Sequence, residues 1–310
     1  MTRRTLITGG GGFVGCHVVY AAVMAQAPGN TVVSVDLHKP PSYGNQSVEL
    51  DLTDSEALTE LVHTLQPTHV IHCAGVTHSD TDDGYLAGNV APTDALLQSL
   101  AAVGSRSLER FVNVSSAAVY GPMVSSDIIV HESMALHPGS TYARSKMRQE
   151  RLALEFGRKW ALPVVNARLF DVAGPGQRPF MMPAAFFKRL IVEDVDPLPV
   201  KSWCSTRDYI DVRDVADALL VLADRGEPGE SYNVGTGESV SVGAIVYAAI
   251  ATSERERSAV PVGGSGRDDC SQADVSKLTA LGWSPQVSTR QSLADCWDWI
   301  RAIVPSTKTT

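Results

Sequence analysis

Residues 5–17 read TLITGGGGFVGCH, and this stretch decides the fold of the chain. Its apolar, β-branched beginning predicts a short buried strand, and residues 13–24 predict a helix. Between them, Gly9 allows a tight turn, Gly12 lets a pyrophosphate approach the backbone, and Gly15 lets the helix pack closely on the strand. A strand, a glycine turn and a helix in this order predict an anion site at the positive N-terminus of the helix.

The next strand ends in a carboxylate that predicts the type of dinucleotide. Residues 31–36 read TVVSVD, and Asp36 lies 21 residues after Gly15, where such folds place a ribose-binding acid. A carboxylate there accepts hydrogen bonds from the ribose hydroxyls and repels a 2′-phosphate, so we predict NAD rather than NADP. The following His38 and Lys39 could soften this preference. An aspartate that only opens a turn is the alternative.

The pattern along the first half of the chain predicts a parallel sheet with helices on both faces. Strands alternate with helices over about 170 residues, which is typical of a doubly wound α/β fold of the Rossmann type. The predicted strands are 5–8, 31–36, 47–50, 68–73, 110–115 and 162–169, and residues 232–237 predict a further strand and turn. The predicted helices are 13–24, 55–65, one within 82–103, 141–160, 183–192, 212–223, 242–251, 274–281 and 288–303. We predict an NAD-binding domain over residues 1–170, to which 208–230 return, and a smaller C-terminal substrate-binding lobe over 171–207 and 231–310.

Tyr142 and Lys146 lie four residues apart on a predicted helix and so share one face. A tyrosine hydroxyl ordinarily titrates near ~10. A nearby ammonium favours the phenolate, so we expect Lys146 to lower the pKa of Tyr142 and to let it act as a base near neutral pH. Lys146 can also hold the nicotinamide ribose, and Ser116, at the end of the preceding strand, can hydrogen-bond the same substrate oxygen. A tyrosine and a lysine four residues apart are also common on solvated helices. The prediction of a catalytic pair therefore depends on the presence of Ser116 and the glycine turn.

Residues at the ends of the predicted strands provide the remaining contacts of a dinucleotide. Asp51 and Leu52 follow the third strand and offer an adenine one polar and one apolar contact. Ala74 and Gly75 follow the fourth strand, where small residues let the cofactor lie close to the strand end. The predicted cofactor contacts are Gly9, Gly12, Phe13, Val14, Gly15, Asp36, Asp51, Leu52, Ala74, Gly75, Asn89, Tyr142 and Lys146.

Composition and charge argue against several classes of function. The chain has 310 residues and a net charge of -8, which argues against a nucleic-acid partner. No apolar run reaches the roughly 18 residues that a membrane span needs, and the first residues predict a strand rather than a signal peptide. The five cysteines include no C-x-x-C pair, and His69 and His72 point to opposite faces of a strand, so we predict no metal site. These features predict a cytoplasmic protein.

Short motifs occur in order along nearly the whole chain. They are residues 8–15 (TGGGGFVG), 51–52 (DL), 116–121 (SAAVYG), 142–146 (YARSK), 168–177 (RLFDVAGPGQ), 207–215 (RDYIDVRDV), 232–238 (YNVGTGE) and 281–285 (LGWSP). With these motifs the chain resembles the extended short-chain dehydrogenase/reductase family, in its NAD-dependent nucleotide-sugar epimerase/dehydratase branch. The resemblance implies a homodimer in which the helices of residues 89–103 and 142–160 pair with their symmetry mates.

The resemblance also implies a role for each catalytic candidate. Tyr142 would be the acid/base, Lys146 its electrostatic partner and a ligand of the cofactor ribose, and Ser116 the second ligand of the reacting oxygen.

Two arginines match those that bind the diphosphate of a sugar nucleotide in the family. These are Arg207 and Arg267, and a guanidinium suits this task because its bonds to phosphate are bidentate and charge-assisted. A surface ion pair with the adjacent Asp208 or Asp268 is the alternative for either arginine.

The chain departs from the family pattern at two places. The 4,6-dehydratases carry an Asp-Glu pair where this chain has Ala117 and Ala118. Elimination of water needs an acid and a base, so we predict that the protein is not a 4,6-dehydratase. Many members also carry an asparagine where this chain has Asp171. A carboxylate near a diphosphate would repel it, which favours a modified or uncharged substrate.

We therefore predict an NAD-dependent oxidoreductase or epimerase that acts on a sugar hydroxyl or ketone, at C4 of a nucleotide-activated sugar. Its predicted substrate contacts are Ser116, Asp171, Arg207 and Arg267. An epimerase would return the hydride to the other face of the sugar, whereas a ketoreductase or dehydrogenase would release the product and exchange the cofactor. Residues 207–215 and 229–234 resemble the 4-keto-6-deoxy-sugar reductases, whereas Asp36 favours an epimerase or dehydrogenase.

Two other functions remain open at this stage. One is an NAD-dependent dehydrogenase of a small polyol acid or amino alcohol, which Asp171 favours. The other is a catalytically silent NAD(H)-binding sensor or scaffold. The presence of Ser116, Tyr142 and Lys146 together argues against this second alternative.

Overall fold

The computed structural model describes residues 2–104, 107–122, 128–193, 195–254, 256–263 and 270–305. Its strands are β1 (Arg4–Thr8), β2 (Thr31–Asp36), β3 (Gln46–Glu49), β4 (His69–His72), β5 (Arg110–Ser116), β6 (Val164–Leu169), β7 (Asp171–Ala173), β8 (Leu198–Val200), β9 (Thr206–Arg207), β10 (Tyr209–Asp211), β11 (Ser231–Val234), β12 (Val240–Ser241) and β13 (Ala259–Pro261). Its α-helices are α1 (Phe13–Met24), α2 (Ser55–Leu65), α3 (Asp82–Tyr85), α4 (Ala91–Val103), α5 (Thr141–Trp160), α6 (Ala184–Val192), α7 (Val212–Arg225), α8 (Val242–Ser253), α9 (Ser276–Thr279) and α10 (Thr289–Ile303). A π-helical turn, Leu86–Val90, joins α3 to α4, and a 3-10 turn, Ala117–Tyr120, follows β5.

Seven parallel strands form the central sheet in the order β11-β6-β5-β4-β1-β2-β3. Apolar clusters cover both faces, one around Ile7 and Leu219 and the other around Leu6 and Leu96. The predicted doubly wound Rossmann fold is therefore confirmed. The strand order reverses between β1 and β4, and ligands of such sheets bind in the crevice outside the carboxyl ends of the strands at that point.

The bounds predicted for α1, β2, α2 and α5 agree with the structure. The beginnings of two of these helices are fixed by capping side chains, which the sequence shows directly. Asp54 accepts a hydrogen bond from the backbone N–H of Ala57, and Ser140 accepts one from that of Ala143. Each cap satisfies a backbone donor that the first turn of a helix leaves without a partner.

Two predicted helices differ from the observed ones. The helix within 82–103 is divided by the π-helical turn, because Pro92 has no N–H to donate to the carbonyl of Gly88 four residues earlier. The helix predicted over 274–281 is shortened to α9. There the preceding chain is extended, because Ala273 forms a parallel bridge with Val130.

The last strand of the sheet comes from the part of the chain that was predicted to form the substrate-binding lobe. β11 pairs with β6 in parallel register, so it lies in the sheet and not in the lobe expected to begin at residue 231. The sequence did not indicate this, because strand pairing is a contact between distant residues. The second hydrophobic core is built by α6, α8 and α10, where the rings of Phe187 and Trp297 lie 5.4 Å apart. The remaining domain division stays a prediction.

Candidate active site

A cleft of about 700 Å³ opens at the carboxyl ends of β1, β4 and β5, where the strand order reverses. The glycine turn lines it at one end, and α5 and β7 line it farther along. Of the predicted site residues, the lining includes Gly9, Gly12, Phe13, Val14, Gly15, Gly75, Asn89, Ser116, Tyr142, Lys146, Asp171 and Arg207. Four other predicted residues, Asp36, Asp51, Leu52 and Ala74, are outside this lining, and Arg267 lies outside the described residues.

The glycine turn between β1 and α1 leaves room for an anion at the backbone. Gly9 has a φ of 71°, and a Cβ added there would lie 2.6 Å from the amide nitrogen of Ala74. A Cβ on Gly15 would overlap the carbonyl oxygen of Gly9, so the helix can approach the turn only with glycine there. Gly12, the N-cap of α1, has no side chain with which to bond the first N–H groups of the helix, and these can bind an anion. The turn therefore fits the pyrophosphate of a dinucleotide.

The two carboxylates predicted to contact the cofactor make different contacts in the structure. Asp36 accepts the backbone N–H of Gly11 through Oδ2 at 2.8 Å and that of Leu37 through Oδ1 at 2.7 Å. A carboxylate has further lone pairs, so these bonds orient Asp36 and still let it accept bonds from hydroxyl groups. Asp51 accepts both the backbone N–H and the hydroxyl of Thr53, and these bonds lower the pKa of Asp51.

Ser116, Tyr142 and Lys146 meet in the cleft. Burial raises the pKa of Tyr142, and the hydrogen bond between Ser116 and Tyr142 opposes this increase. The expectation that Lys146 lowers the pKa of Tyr142 is therefore wrong. The physical reason is that burial disfavours the charged phenolate. The ammonium of Lys146 donates to the carbonyl oxygen of Val114 and to Oε1 of Gln149, both at 2.8 Å.

Lys146 is itself perturbed by its surroundings. Only 6% of the residue is exposed, and this burial lowers its pKa to about 8, although Cys73 and Glu150 act in the opposite direction. Lys146 therefore carries a proton at neutral pH and can release it in mildly alkaline solution.

Asn89, which was predicted to contact the cofactor, uses its amide to hold the chain around the cleft. Its Oδ1 accepts the backbone N–H of Val76 at 2.8 Å, and its Nδ2 donates to the carbonyl oxygen of Val76 and to the hydroxyl of Ser145. The amide thereby ties the loop after β4 to α5. Asn89 contributes to the cleft by fixing its wall.

Arg207 and Asp171 lie next to each other in the lining of the cleft. The Nε of Arg207 lies 4.0 Å from Oδ2 of Asp171. The partner suggested by the sequence, Asp208, is buried instead and accepts bonds from Thr236, Gly237 and Ala273. The carboxylate at position 171, expected to repel a diphosphate, is thus next to a guanidinium that offsets its charge.

The sequence analysis missed a buried ionic network beside the cleft. Arg168 on β6 bonds both carboxylate oxygens of Glu150 on α5, and it also donates to the hydroxyl of Tyr120. The Tyr120 hydroxyl in turn donates to Oδ1 of Asn233 on β11 at 2.6 Å. The sequence did contain a signal for this network, since Arg168 and Asn233 lie inside predicted strands. Such side chains are rarely buried unless they are paired, so their positions indicate buried polar partners.

The structure adds two observations on partners. Among the helices that it describes, none combines the length and the apolar character of a membrane span. Within the same residues, no group of three or more histidine, cysteine, aspartate or glutamate side chains has an arrangement that could hold a metal ion.

The model of the NAD dependent epimerase/dehydratase family matches residues 5–235. The chain belongs to this family. The GDP-6-deoxy-D-mannose reductase of Pseudomonas aeruginosa is 32% identical to it over 322 residues, covering 96% of the chain and 98% of that relative. A trifunctional UDP-glucose 4,6-dehydratase/UDP-4-keto-6-deoxy-D-glucose 3,5-epimerase/UDP-4-keto-L-rhamnose-reductase of Arabidopsis thaliana is 28% identical over 96% of the chain, which spans 47% of that relative.

Solved structures of family members share the fold over nearly their whole length. The UDP-glucose 4-epimerase of Thermus thermophilus, in complex with NAD, superposes with a TM-score of 0.83 at 26% identity, covering 97% of this chain and 100% of that one. The enzyme named RMD from Pseudomonas aeruginosa, in complex with NADPH, has a TM-score of 0.82 at 29% identity, with the same coverage. Family members therefore include proteins solved with either dinucleotide.

Proposed function

We propose that this protein is an NAD-dependent oxidoreductase acting at C4 of a nucleotide-activated sugar, as a 4-epimerase or a 4-ketoreductase. The observation that carries the proposal is that Ser116, Tyr142 and Lys146 line the same cleft as the glycine turn. A reacting carbon between them would be within reach both of a base and of a dinucleotide held at the turn. Membership of the NAD-dependent family supports this arrangement.

The chain offers a group for each part of the cofactor. The N–H groups at the start of α1 would bind the pyrophosphate, Asp36 would accept the adenosine ribose hydroxyls, and Lys146 would donate to the nicotinamide ribose. When bound, NAD supplies the acceptor and donor of hydride. Asp36 supports NAD over NADP because its negative charge would oppose a 2′-phosphate.

Protein groups would handle the proton and the sugar oxygen. Tyr142 would remove the proton of the sugar hydroxyl as the hydride leaves and would return it in the reverse step. Ser116 would hydrogen-bond the same oxygen and hold it near Tyr142. The Lys146 ammonium would favour the phenolate form of Tyr142 when the two side chains share the bound ribose.

Arg207 supports a substrate that carries a diphosphate. It lies in the lining of the cleft next to Asp171, and its guanidinium would bind the diphosphate with charge-assisted bonds. Asp171 would then orient Arg207 and add selectivity for the sugar hydroxyls. We also propose Arg267 as a second diphosphate ligand, on the family resemblance.

The chemistry would stop at oxidation and reduction and would not include loss of water. Ala117 and Ala118 form the first residues of the 3-10 turn that follows Ser116. Their methyl groups cannot transfer protons to or from C5 and C6 of a sugar. When the substrate is a sugar nucleotide with a hydroxyl at C6, an NMR spectrum of the products should therefore lack a 4-keto-6-deoxy sugar, and the formation of one would contradict this part of the proposal.

We further propose a cytoplasmic homodimer in which α4 and α5 pair with their symmetry mates. The exposed residues of α5 include Arg144, Arg148, Arg151 and Glu155. The expected interface would therefore combine partly buried apolar residues of α4 and α5 with ion pairs across the twofold axis. Light scattering at micromolar concentration should give twice the monomer mass of 33.1 kDa.

The decisive experiment follows the hydride. Mass spectrometry would identify any ligand carried by the purified protein, and sugar nucleotides deuterated at C4 would then be incubated with the protein and NAD. We expect deuterium in the cofactor or inverted sugar at C4. Binding of NADH without transfer from any sugar nucleotide would indicate the sensor function, and transfer only from a small polyol acid or amino alcohol would indicate the alternative dehydrogenase.

A further inference from the structure

A continuous chain of buried polar side chains connects Lys146 to the residue before the glycine turn. Lys146 donates to Oε1 of Gln149 at 2.8 Å, and Nε2 of Gln149 donates to the hydroxyl of Thr93 at 2.9 Å. The same hydroxyl lies 2.7 Å from Nε2 of His72, whose Nδ1 lies 2.7 Å from the hydroxyl of Thr8. The linking residues Gln149, Thr93, His72 and Thr8 are all fully buried.

Hydrogen-bonding chemistry fixes the direction of the links at Lys146 and Gln149, and the contacts of Thr93 indicate the direction of the others. An ammonium can only donate, so the Gln149 amide must present its oxygen to Lys146 and its nitrogen to Thr93. Thr93 commits its single hydroxyl proton to the carbonyl oxygen of Asn89, at 2.8 Å, and must accept from both neighbours. With this arrangement we expect His72 to carry its proton on Nε2 and to accept the proton of the Thr8 hydroxyl at Nδ1.

We infer that Gln149 is a positioning residue for the Lys146 ammonium, and that Thr93 and His72 hold its amide in the one orientation that presents oxygen to Lys146. The inference rests on the proposed function, because it gives Lys146 its role at the cofactor ribose. Gln149 and the carbonyl oxygen of Val114 occupy two donors of the ammonium. One N–H remains for the cofactor, and Lys146 and Gly75 both line the cleft, where a Cβ on Gly75 would lie 3.5 Å from Nζ.

Because of the charges around Lys146, the pKa of this lysine should be sensitive to the residue at position 149. Cys73, at the end of β4, and Glu150, on α5, face the ammonium and act to raise its pKa. Glu150 is already engaged by Arg168, and His72 stays neutral because burial, assisted by the charge of Lys146, lowers its pKa to about 3. A neutral amide at position 149 thus contributes an oxygen without adding a further carboxylate.

Two substitutions of Gln149 should act in opposite directions. In Q149E the new carboxylate stabilises the ammonium, and the pH at which Lys146 loses its proton should rise by about one unit. In Q149M the acceptor is lost, and this pH should fall. The readouts are the pH profile of single-turnover NAD reduction and the pH dependence of NAD affinity in calorimetry. The matched control is Gln98, exposed on α4, whose Q98E and Q98M variants should leave both profiles unchanged.

The direction of the hydrogen bonds from Lys146 to Thr8 can be tested without a substrate. In the ¹⁵N NMR spectrum of histidine-labelled protein, the imidazole of His72, one of eight in the chain, should remain neutral, with its proton on Nε2, down to about pH 5. The H72Q variant would identify this signal by removing it. A His72 proton on Nδ1, protonation of His72 near pH 6, or equal shifts in Q149E and Q149M would overturn the inference. If no sugar nucleotide reacts, the proposed function fails, but calorimetry and NMR still test Gln149.

Discussion

Arg168 and Glu150 form a buried two-point ion pair between β6 and α5, the helix that carries Tyr142 and Lys146. The Nε of Arg168 lies 3.0 Å from Oε1 of Glu150, and Nη2 lies 2.8 Å from Oε2. Glu150 follows Lys146 by one helical turn, so this pair fixes the register of the candidate catalytic helix against the sheet. The carboxylate and the hydroxyl of Tyr120 raise the pKa of Arg168 above its ordinary value, although burial acts against this increase.

Removal of one partner of this pair should destabilise the protein severely. Arg168→Met leaves the Glu150 carboxylate buried without its cation, and we expect a loss of about 3–5 kcal/mol in the free energy of unfolding. The double variant Arg168→Met/Glu150→Met removes both charges and should recover part of this loss. Urea denaturation of the two single variants and the double variant measures the coupling. Additive losses would contradict a direct interaction.

Asp36 should determine the preference for NAD. Its carboxylate would oppose a 2′-phosphate by at least about 1 kcal/mol, so NAD(H) should bind more tightly than NADP(H) in calorimetric titrations. Asp36→Asn should bring the two affinities together. Asp51→Asn is the control, since Asp51 is bonded to Thr53 and should leave the preference unchanged. Tighter binding of NADP(H) by the wild-type protein would contradict the role of Asp36.

Tyr142→Phe should abolish most of the activity and spare the fold. The substitution removes one oxygen, and loss of a general base costs about 10²–10⁴-fold in rate. Tyr85→Phe is the matched control, because its ring lies 6.1 Å from that of Tyr142 and it has no assigned proton transfer. Single-turnover reduction of bound NAD gives the rates. Hydride transfer at the wild-type rate in Tyr142→Phe would show that the base lies elsewhere.

Substitutions of Lys146 and Ser116 should reduce the rate to different extents, with a severe loss for Lys146, as for Tyr142, and a milder loss for Ser116. Lys146→Met should lower both the rate and the affinity for NAD, because in the proposed function the side chain would contact the cofactor ribose as well as support Tyr142. Ser116→Ala should cost less, since it removes a hydrogen bond to the reacting oxygen and no proton acceptor. The same single-turnover assay, together with calorimetry, separates the two effects. A larger loss in Ser116→Ala than in Lys146→Met would reverse the assignment.

Two buried histidines should make the protein sensitive to mild acid. Burial lowers the pKa of His72 to about 3 and that of His69 to about 4, whereas an unfolded histidine titrates near ~6.5. The unfolded chain therefore binds protons that the folded protein does not, and the free energy of unfolding falls as the pH decreases below 6.5. Each histidine should contribute a loss of about 2 kcal/mol between pH 6.5 and about pH 5.

Substitution by asparagine separates the contribution of His72. Denaturation curves at pH 6.5 and about pH 5 give the free energy of unfolding that is lost on acidification. This loss should be smaller in His72→Asn than in the wild-type protein by about 2 kcal/mol. The exposed His78 provides the control, since His78→Asn should keep the wild-type pH dependence. An unchanged acid loss in His72→Asn would mean that His72 is protonated in the folded protein.

Local sequence signals determined a large part of this protein. The glycine spacing fixed the turn before α1, and Asp54 and Ser140 fixed the starts of α2 and α5, because turns and caps depend on neighbouring residues. The alternation of strands and helices was sufficient to predict the doubly wound sheet. The family motifs also predicted that Ser116, Tyr142 and Lys146 act together.

The tertiary structure alone decided which groups surround these residues. Lys146 donates to Val114 and Gln149, and burial raises the pKa of Tyr142. Arg207 lies opposite Asp171, which is 36 residues away in sequence, and not beside its neighbour Asp208. Periodicity and spacing describe residues within a few turns of each other, whereas ion pairs and buried polar chains depend on how distant strands and helices are brought together.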